Sequence, residues 1–469
     1  MTRVVVIGAG FAGIAMGRRL AATGEDFTIL ERRPGVGGTW YDNRYPGVAC
    51  DVPAHLYGYS DIPHPGFSRQ FAPGAEIRGY LEDAADPIAD RIRLSTALTG
   101  ADWTGDRWQL STSRGDLEAE VLVLGAGRLT EPRHPDVPGT FAGPVMHTAR
   151  WDDSVDLDGA RVAVVGTGAS GLQVIPEIAR RAASVTVLQR SAPYVMPKGD
   201  RAYADAERAM FAREPERLVT LREQLYRETE AVFDDRAGDG RAAARDRALA
   251  HLAAQVPDPV LRRTLTPGDE FGCKRVLFSD DYYPTLRLPH VRLVASALAG
   301  YEPTGVVAAD GSHHEVDVVV EATGFHSAVQ PYASLVRGRR GVTLDAHWSD
   351  GMRAYASTAV HGFPNLFVLD GPNAALAHNS AVLMIEAQAD FVASALPWTA
   401  RGPLEVSAAA EQEYVDEIDS RSGVWTSGCR NWYVDPRSGR QVLLWPGKAQ
   451  EFRDRFGHFE PEPFGLAAR

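Results

Sequence analysis

The sequence has 469 residues, of which 44% are hydrophobic and 23% are charged, close to the averages of globular proteins. This composition excludes a largely disordered or collagen-like chain, and the length predicts about three domains of ~150 residues. The net charge of −12 argues against a general nucleic-acid binder, in which lysine and arginine would form a basic surface.

Membrane insertion, secretion and metal binding are not predicted for this chain. No apolar run approaches the ~20 residues of a membrane helix, so no membrane span is expected. The chain enters an apolar strand at Val4 without a signal-peptide pattern, which predicts a cytoplasmic location. The cysteines lie far apart, without a CxxC or a Cys and His cluster at metal spacing, so no metal is expected.

The first predicted element is a buried strand, Val4 to Ile7, followed by a GxGxxG turn and a helix. Such a turn lets the backbone approach a pyrophosphate, which then lies at the helix N-terminus. Glu31 ends the next strand, 23 residues after Gly8. An acid there accepts hydrogen bonds from an adenosine ribose and would repel a 2′-phosphate, so this site is predicted to bind FAD. The predicted binding residues are Gly8, Gly10, Phe11, Ala12, Gly13, Glu31 and Arg32.

A second strand, turn and helix of the same kind begins at Arg161. Here the strand after the turn ends in Arg190, 24 residues after Gly166, so the charge at the ribose position is reversed. Arginine can bind a 2′-phosphate through paired, charge-assisted hydrogen bonds, and the second site is therefore predicted to bind NADPH. The predicted binding residues are Gly166, Thr167, Gly168, Ala169, Ser170, Gly171, Arg190 and Ser191.

Two further features, a pair of apolar strands and a helix-rich stretch, lie outside this repeated pattern. The apolar strands at 121–124 and 318–321 each end in small residues, as do the strands that link the two domains of two-dinucleotide flavoproteins, so Thr323 and Gly324 are predicted to lie beside a cofactor. Residues 201–255 are rich in Ala, Arg and Glu with leucines at helical spacing, which predicts a helical insertion. Its charges are expected to form a solvated face, with a partner-binding surface as the alternative.

Phe141, Gly143, His147 and Trp151 form the pattern FxGxxxHxxxW directly before the second turn. In this the chain resembles the type I Baeyer–Villiger monooxygenases, whose fingerprint stands at the same place. The segment 37–47 (GGTWYDNRYPG) is also similar to that family. The related monooxygenases that oxidise nitrogen and sulfur carry a similar fingerprint without the final Trp.

The resemblance implies further site residues. Gly38, Thr39, Trp40, Tyr45 and Asp51 are expected beside the flavin. Lys274 is expected to be a second ligand of the NADPH 2′-phosphate, and Arg275 to be the active-site arginine. Trp432 lies in a segment similar to one that reaches the cofactor in these enzymes. His147 is assigned a hydrogen-bonding or hinge role rather than that of a general base.

The chemistry explains why an arginine is needed. Flavin reduced by NADPH adds oxygen at its C4a carbon, and the peroxide must stay anionic to attack a carbonyl. A fixed arginine favours that anion and the oxyanion formed on attack. Asp51 would orient Arg275 and balance its charge, so both are predicted to be catalytic.

The sequence therefore predicts an α/β protein with two Rossmann-like dinucleotide-binding domains and a helical insertion of about 201–255. The FAD domain takes residues 1–145 and 328–469, and the NADPH domain residues 146–327. The predicted enzyme inserts one atom of O2 next to the carbonyl of a ketone or aldehyde with substantial apolar surface, giving an ester or lactone. The alternatives are an N- or S-oxygenating flavin monooxygenase and a flavin-binding module without oxygenase activity.

Overall fold

A computed structural model describes residues 2–237, 240–424 and 431–467. The strands, in chain order, are β1 (Thr2–Ile7), β2 (Phe27–Leu30), β3 (Ile92–Arg93), β4 (Leu98–Trp103), β5 (Trp108–Thr112), β6 (Leu117–Leu124), β7 (Val145–His147), β8 (Arg161–Val165), β9 (Ser184–Leu188), β10 (Val195–Met196), β11 (Leu277–Phe278), β12 (Val291–Val294), β13 (Leu298–Glu302), β14 (Gly305–Ala308), β15 (His313–Glu315), β16 (Val318–Glu321), β17 (Val336–Arg337) and β18 (Leu366–Val368).

The α-helices are α1 (Phe11–Ala22), α2 (Thr39–Asp42), α3 (Gly74–Ala85), α4 (Ala169–Ala179), α5 (Asp205–Arg213), α6 (Pro215–Ala237), α7 (Gly240–Gln255), α8 (Pro259–Leu265), α9 (Tyr282–Thr285), α10 (Leu344–His347), α11 (Ala381–Ala395), α12 (Ala408–Arg421) and α13 (Ala449–Phe456). Short 3₁₀ helices lie at Asp86–Arg91, Thr148–Arg150, Pro331–Leu335, Arg339–Gly341, Leu396–Arg401, Ser422–Val424 and Glu462–Phe464.

The first sheet takes strands from both ends of the chain. Its order is β17-β4-β5-β6-β1-β2-β3, and β18 also pairs with β6. Strands β2, β1, β6 and β18 are mutually parallel, and Leu124 of β6 lies opposite both Ile7 and Val368. The turns that follow β1, β6 and β18 therefore meet at one edge of this sheet.

The second sheet is built from the middle of the chain in the order β12-β9-β8-β16-β7. Every pairing within it is parallel, and Val165 at the end of β8 lies opposite both Leu188 and Glu321. Its central strands are almost entirely buried, because α4 packs on one face of the sheet and the antiparallel strands β13 and β14 cover the other. These two sheets confirm the α/β fold class predicted from the sequence.

Each sheet has its own hydrophobic core. Helices α1, α3 and α11 pack on one face of the first sheet, together with α13, and bury residues such as Ile14, Leu81 and Phe391. A separate core forms around α4 in the second sheet. The two glycine turns thus lie on independently packed frameworks.

Helices α5, α6 and α7 occupy the stretch 201–255, where the sequence predicts helices. The expectation that the charges of this insertion form a solvated face is wrong for part of α6. Arg222 and Glu230 are turned towards the first sheet, and Arg222 donates to the main-chain oxygens of His55 and Leu56. Among the described helices, none is both long and apolar enough to cross a membrane.

Candidate active site

The turn after β1 is shaped by close backbone packing. Gly8 has a φ of +97°, and a Cβ there would lie 2.6 Å from the oxygen of Gly125. At Gly13 a Cβ would lie 1.7 Å from the oxygen of Gly8, so only glycine allows α1 to pack this closely on β1. Gly10 is the N-cap of α1 and supplies no side-chain cap, so the first amides of the helix face outwards and can bind an anion.

Glu31 lies beside this turn at the end of β2. One carboxylate oxygen accepts from the amide of Ala9 and the other from the amide of Arg33, each at 2.8 Å. Burial raises the pKa of Glu31, although these two hydrogen bonds act in the opposite direction. The Arg32 side chain pairs with Glu131 and donates to the main-chain oxygen of Thr130 at 3.3 Å. The structure therefore places Glu31, but not the Arg32 side chain, against the glycine turn.

An aromatic wall lies next to the turn. Gly38, with a φ of +54°, brings its backbone against Gly10, and Thr39 then begins α2. Trp40 is buried, and its ring meets that of Tyr57 edge-on with centroids 5.7 Å apart. Tyr57 in turn contacts the ring of Phe11, the first residue of α1, at 5.0 Å. These residues form an apolar surface at the edge where α1 begins.

The second glycine turn repeats the first. Gly166 has a φ of +104°, and a Cβ at Gly171 would lie 2.2 Å from the oxygen of Gly166. Gly168 differs, because a Cβ there would meet nothing within 4 Å and its backbone angles are ordinary. Nothing in the described fold requires glycine at Gly168. The space in front of it is explained if a phosphate group approaches the N-terminus of α4.

The remaining residues of this turn link it to the first part of the chain. Ala169 begins α4, and Thr167 and Ser170 interact with the phenols of Tyr282 and Tyr45, respectively. The hydroxyl of Tyr45 also donates to the side chain of Gln173 on α4 at 2.7 Å. Burial raises the pKa of Tyr45 to about 12. Tyr45 therefore joins the two glycine-turn regions as a neutral hydrogen-bond donor.

Basic side chains follow β9 and precede β11. Arg190 is exposed and pairs with no acidic group in the described part of the chain. Lys274 donates to the hydroxyl of Ser191 at 2.9 Å and also pairs with Asp269. The structure thus brings Lys274 to the end of the strand that carries Arg190, although 83 residues separate Lys274 from Ser191.

Arg275 and Asp51 form an ion pair between distant segments. The Arg275 Nε and Nη2 atoms donate to the same oxygen of Asp51 at 3.0 and 2.6 Å. Both side chains are partly exposed, at 29% for Arg275 and 26% for Asp51. The Asp51 carboxylate raises the pKa of Arg275 above its already high value, against the effect of partial burial. The guanidinium is therefore held as a fixed positive charge that a small molecule can reach.

Trp432 lies in a segment that contacts the residue before Lys274 and Arg275. The neighbouring Asn431 donates its amide to the main-chain oxygen of Cys273 at 3.0 Å, and Ser327 donates to that of Trp432 at 3.2 Å. The Trp432 side chain is one of the few large apolar groups left exposed in the described chain, at 37%. Its ring stands beside that of Tyr433, with centroids 4.5 Å apart.

Thr323 and Gly324 follow β16, at the sheet edge where the Gly166 turn also lies. Thr323 donates its hydroxyl to the main-chain oxygen of Arg133 at 2.6 Å, and Gly324 has a φ of +84°. His147 is buried, and its Nδ1 accepts from the amide of Ala149 at 3.1 Å. Burial lowers the pKa of His147 to about 4, so it is neutral near pH 7 and fills a hydrogen-bonding role.

Arg128 and Asp370, which are not among the residues predicted from the sequence, form an ion pair at the shared edge of the first sheet. Asp370 follows β18 and has a φ of +54°, and its amide donates to the side chain of Gln388 at 2.9 Å. Burial raises the pKa of Asp370, although Arg128 opposes this. The pattern that could have identified it is an acid directly after a buried strand.

Comparisons with known proteins agree with this geometry. Residues 5–204 match the family model described as pyridine nucleotide-disulphide oxidoreductase. A Baeyer-Villiger monooxygenase of Streptomyces coelicolor is 41% identical over 467 residues, covering 96% of this chain and 90% of the relative.

Two solved structures cover 97% of this chain and 96% of their own. One is OTEMO in complex with FAD and NADP, with a TM-score of 0.87 and 27% identity. The other is a cyclohexanone-bound cyclohexanone monooxygenase, with a TM-score of 0.83 and 27% identity.

The two types of glycine in the second turn predict opposite effects of alanine. We expect Gly168→Ala to fold with unchanged stability but to weaken NADPH binding by about tenfold or more, because its methyl group fills the space in front of α4. Gly171→Ala should instead destabilise the protein by about 1–3 kcal/mol through overpacking. Thermal unfolding without coenzyme and titration with NADPH separate the two effects. Wild-type affinity in Gly168→Ala would show that the space is not a coenzyme site.

Proposed function

The chain belongs to the Baeyer–Villiger monooxygenase family and is an FAD- and NADPH-dependent enzyme, and from this premise we propose its substrate class and the roles of its residues. The proposed substrate is a ketone or aldehyde with substantial apolar surface. Oxygen from O2 is inserted beside its carbonyl carbon to give an ester or lactone. The cyclohexanone bound in a related structure supports a carbonyl compound as substrate.

We assign FAD to the turn after β1. The free amides at the start of α1 bind its pyrophosphate, and Glu31 accepts hydrogen bonds from its ribose. Trp40 and its neighbours Gly38 and Thr39 close one side of the site. Reduced FAD supplies the activated oxygen. The FAD-binding part is proposed to comprise residues 1–145 and 328–469, since the first sheet uses strands from both ranges.

We assign NADPH to the turn after β8, within residues 146–327. Its pyrophosphate lies before Gly168, and Arg190, Ser191 and Lys274 bind the 2′-phosphate. Asp269 and Ser191 fix the position of the Lys274 ammonium group. When the 2′-phosphate binds, it takes the place of the Asp269 carboxylate as the partner of Lys274. Arg190 needs no such exchange, because no acid pairs with it among the described residues.

The ion pair of Arg275 and Asp51 is the observation on which the proposed chemistry depends. Asp51 contacts Arg275 through one oxygen and fixes the direction of the guanidinium, while part of the guanidinium stays accessible. In that position Arg275 stabilises negative charge that develops on the substrate carbonyl oxygen. Arginine suits this role because it remains charged at any working pH. Asp51 acts through Arg275 by orienting it.

Trp432 is proposed to contribute to the apolar side of the substrate site. Its partial exposure leaves an aromatic surface available, and its segment is bound to the residue that precedes Lys274 and Arg275. Thr323 and Gly324, which follow β16, are proposed to border the coenzyme. A cytoplasmic location stays a prediction from the sequence.

The substrate class is tested with oxygen labelling. The holoenzyme is given NADPH, ¹⁸O₂ and a panel that contains cyclohexanone, larger apolar ketones, an aldehyde, a tertiary amine and a thioether. We expect one labelled oxygen in an ester or lactone, with higher kcat/KM for the more apolar ketones. Formation of only N-oxide or sulfoxide, or of only hydrogen peroxide, would contradict the proposal.

Removing the positive charge tests the role of Arg275. We expect Arg275→Ala to retain FAD but to lose ester formation by about 10²-fold, because a preorganised charge at the carbonyl oxygen is lost. Arg275→Lys should fall between this variant and the wild type, since it keeps the charge but not the paired geometry. Rapid-mixing spectra measure flavin reduction and reoxidation separately, with product analysis alongside. Arg287→Ala, at an exposed position, is the control; equal ester formation in Arg275→Ala and this control would make Arg275 structural.

Coenzyme choice tests Arg190. We expect Arg190→Ala to weaken NADPH binding by about ten- to a hundred-fold while NADH binding changes little, because only NADPH carries the 2′-phosphate. Arg180→Ala removes an exposed arginine from the end of α4 and should affect neither coenzyme. Binding is measured by titration of the holoenzyme with each coenzyme. An equal loss for NADPH and NADH would exclude the assigned contact.

A further inference from the structure

Helix α6 carries a line of polar residues that bind the first part of the fold. Arg222, Tyr226, Glu230 and Asp234 are spaced four residues apart, so they lie along one side of the helix. We call these four residues the α6 stripe. Tyr226 donates to Gln450 at 3.4 Å, and Asp234 accepts from Lys448 at 2.8 Å. The stripe therefore docks an insertion within the NADPH-binding part against the FAD-binding part.

Glu230 is the buried centre of the stripe. Its Oε1 atom accepts from Asn379 Nδ2 at 2.8 Å and from the amide of Ala449 at 3.3 Å. The Nε2 atom of His378 lies 3.2 Å from the same oxygen, and it must donate because an ionised carboxylate only accepts. Burial opposes ionisation, but these hydrogen bonds lower the pKa of Glu230 overall. One carboxylate oxygen thus joins α6 to the start of α13 and to the turn before α11.

This arrangement is costly for stability alone. Glu230 is 7% exposed, and its Oε2 atom is buried without a hydrogen-bond partner among the described residues. Leaving a buried charged oxygen unpaired costs stability, whereas an apolar residue of similar size would avoid the cost. The carboxylate instead fixes the positions of the His378 and Asn379 side chains, which both bind its Oε1 atom.

The turn that contains His378 and Asn379 lies near the predicted flavin site. It connects β18 to α11, and β18 ends at the same sheet edge as the Gly8 turn. The amide of Leu369 donates to the oxygen of Leu124 at 2.9 Å, and Asp370 pairs with Arg128 at that edge. Asn379 then accepts from the amide of Ser380, which caps α11. Helices α1 and α11 start side by side at the flavin end of the sheet.

We propose that Glu230 is a positioning residue of the flavin site: from the helical insertion it fixes the turn at His378 and Asn379, and thereby the N-terminus of α11. The inference rests on the assignment of FAD to this sheet edge. Through Glu230 the helical insertion becomes part of the flavin environment. A shift of the NADPH-binding part would therefore change the position of the turn beside the flavin.

Hydrogen exchange of the FAD-loaded protein tests the inference without turnover. In Glu230→Ala we expect amide exchange within 371–381 to increase about ten- to a hundred-fold, as for loss of a charge-assisted hydrogen bond. Glu230→Gln keeps one acceptor and should show a smaller increase. Glu228→Gln is the control, because Glu228 is exposed on the same helix and bonded only to Gln224 among the described residues. Unchanged exchange within 371–381 in folded Glu230→Ala would overturn the inference.

The flavin itself gives the second readout. We expect Glu230→Ala to shift the flavin reduction potential and to raise the fraction of NADPH oxidised without ester formation, with KM for NADPH within about twofold of wild type. If Glu230→Ala fails to fold, Asn379→Ala removes one partner of the same carboxylate and should produce the same localised exchange. Wild-type potential and coupling in both variants would limit Glu230 to a structural role. Failure of ester formation in the wild-type enzyme would instead count against the proposed function alone.

Discussion

Parallel strands that end together constrain everything else in this molecule. In the first sheet β1, β6 and β18 are in register, so the residues after Ile7, Leu124 and Val368 must share one edge. Free helix amides and charged side chains collect there, because the strand interiors are buried and cannot hold them. In the second sheet the parallel strands β8, β9 and β16 likewise end together, so the residues that follow them share one edge. Two such edges, built from one interleaved chain, carry the two glycine turns and border the region in which Tyr45 contacts α4.

That region is closed by contacts between segments far apart in sequence. Arg275 and Asp51 are separated by 224 residues, and each lies on a different side of the interface between the two sheets. Tyr45 and Gln173 make a similar connection nearby. The orientation of the guanidinium therefore depends on the relative position of the two parts.

Local patterns account for the parts of the structure that the sequence predicts well. A β-branched run, a glycine turn and a helix are adjacent in sequence, so both dinucleotide turns and the α/β class follow from short-range information. The pairing of Arg275 with Asp51 came from resemblance to a family, because no local rule joins residues so far apart. Asp370 was missed because an acid after a buried strand is a weak signal alone, and its partner Arg128 is brought to it only where β18 lies beside β6.

The helical insertion is a second place where local sequence does not reveal the environment of a side chain. Its charged residues have the composition of a solvated face, and Glu228 and Glu230 look equivalent in the sequence. They differ only because α6 turns Glu230 towards His378 and Asn379 and leaves Glu228 exposed. A solvated carboxylate needs no fixed partners, whereas a buried one must be matched by donors held in place. The donors that hold Glu230 lie in the turn before α11 and at the start of α13, so the buried carboxylate ties the helical insertion to elements packed on the first sheet.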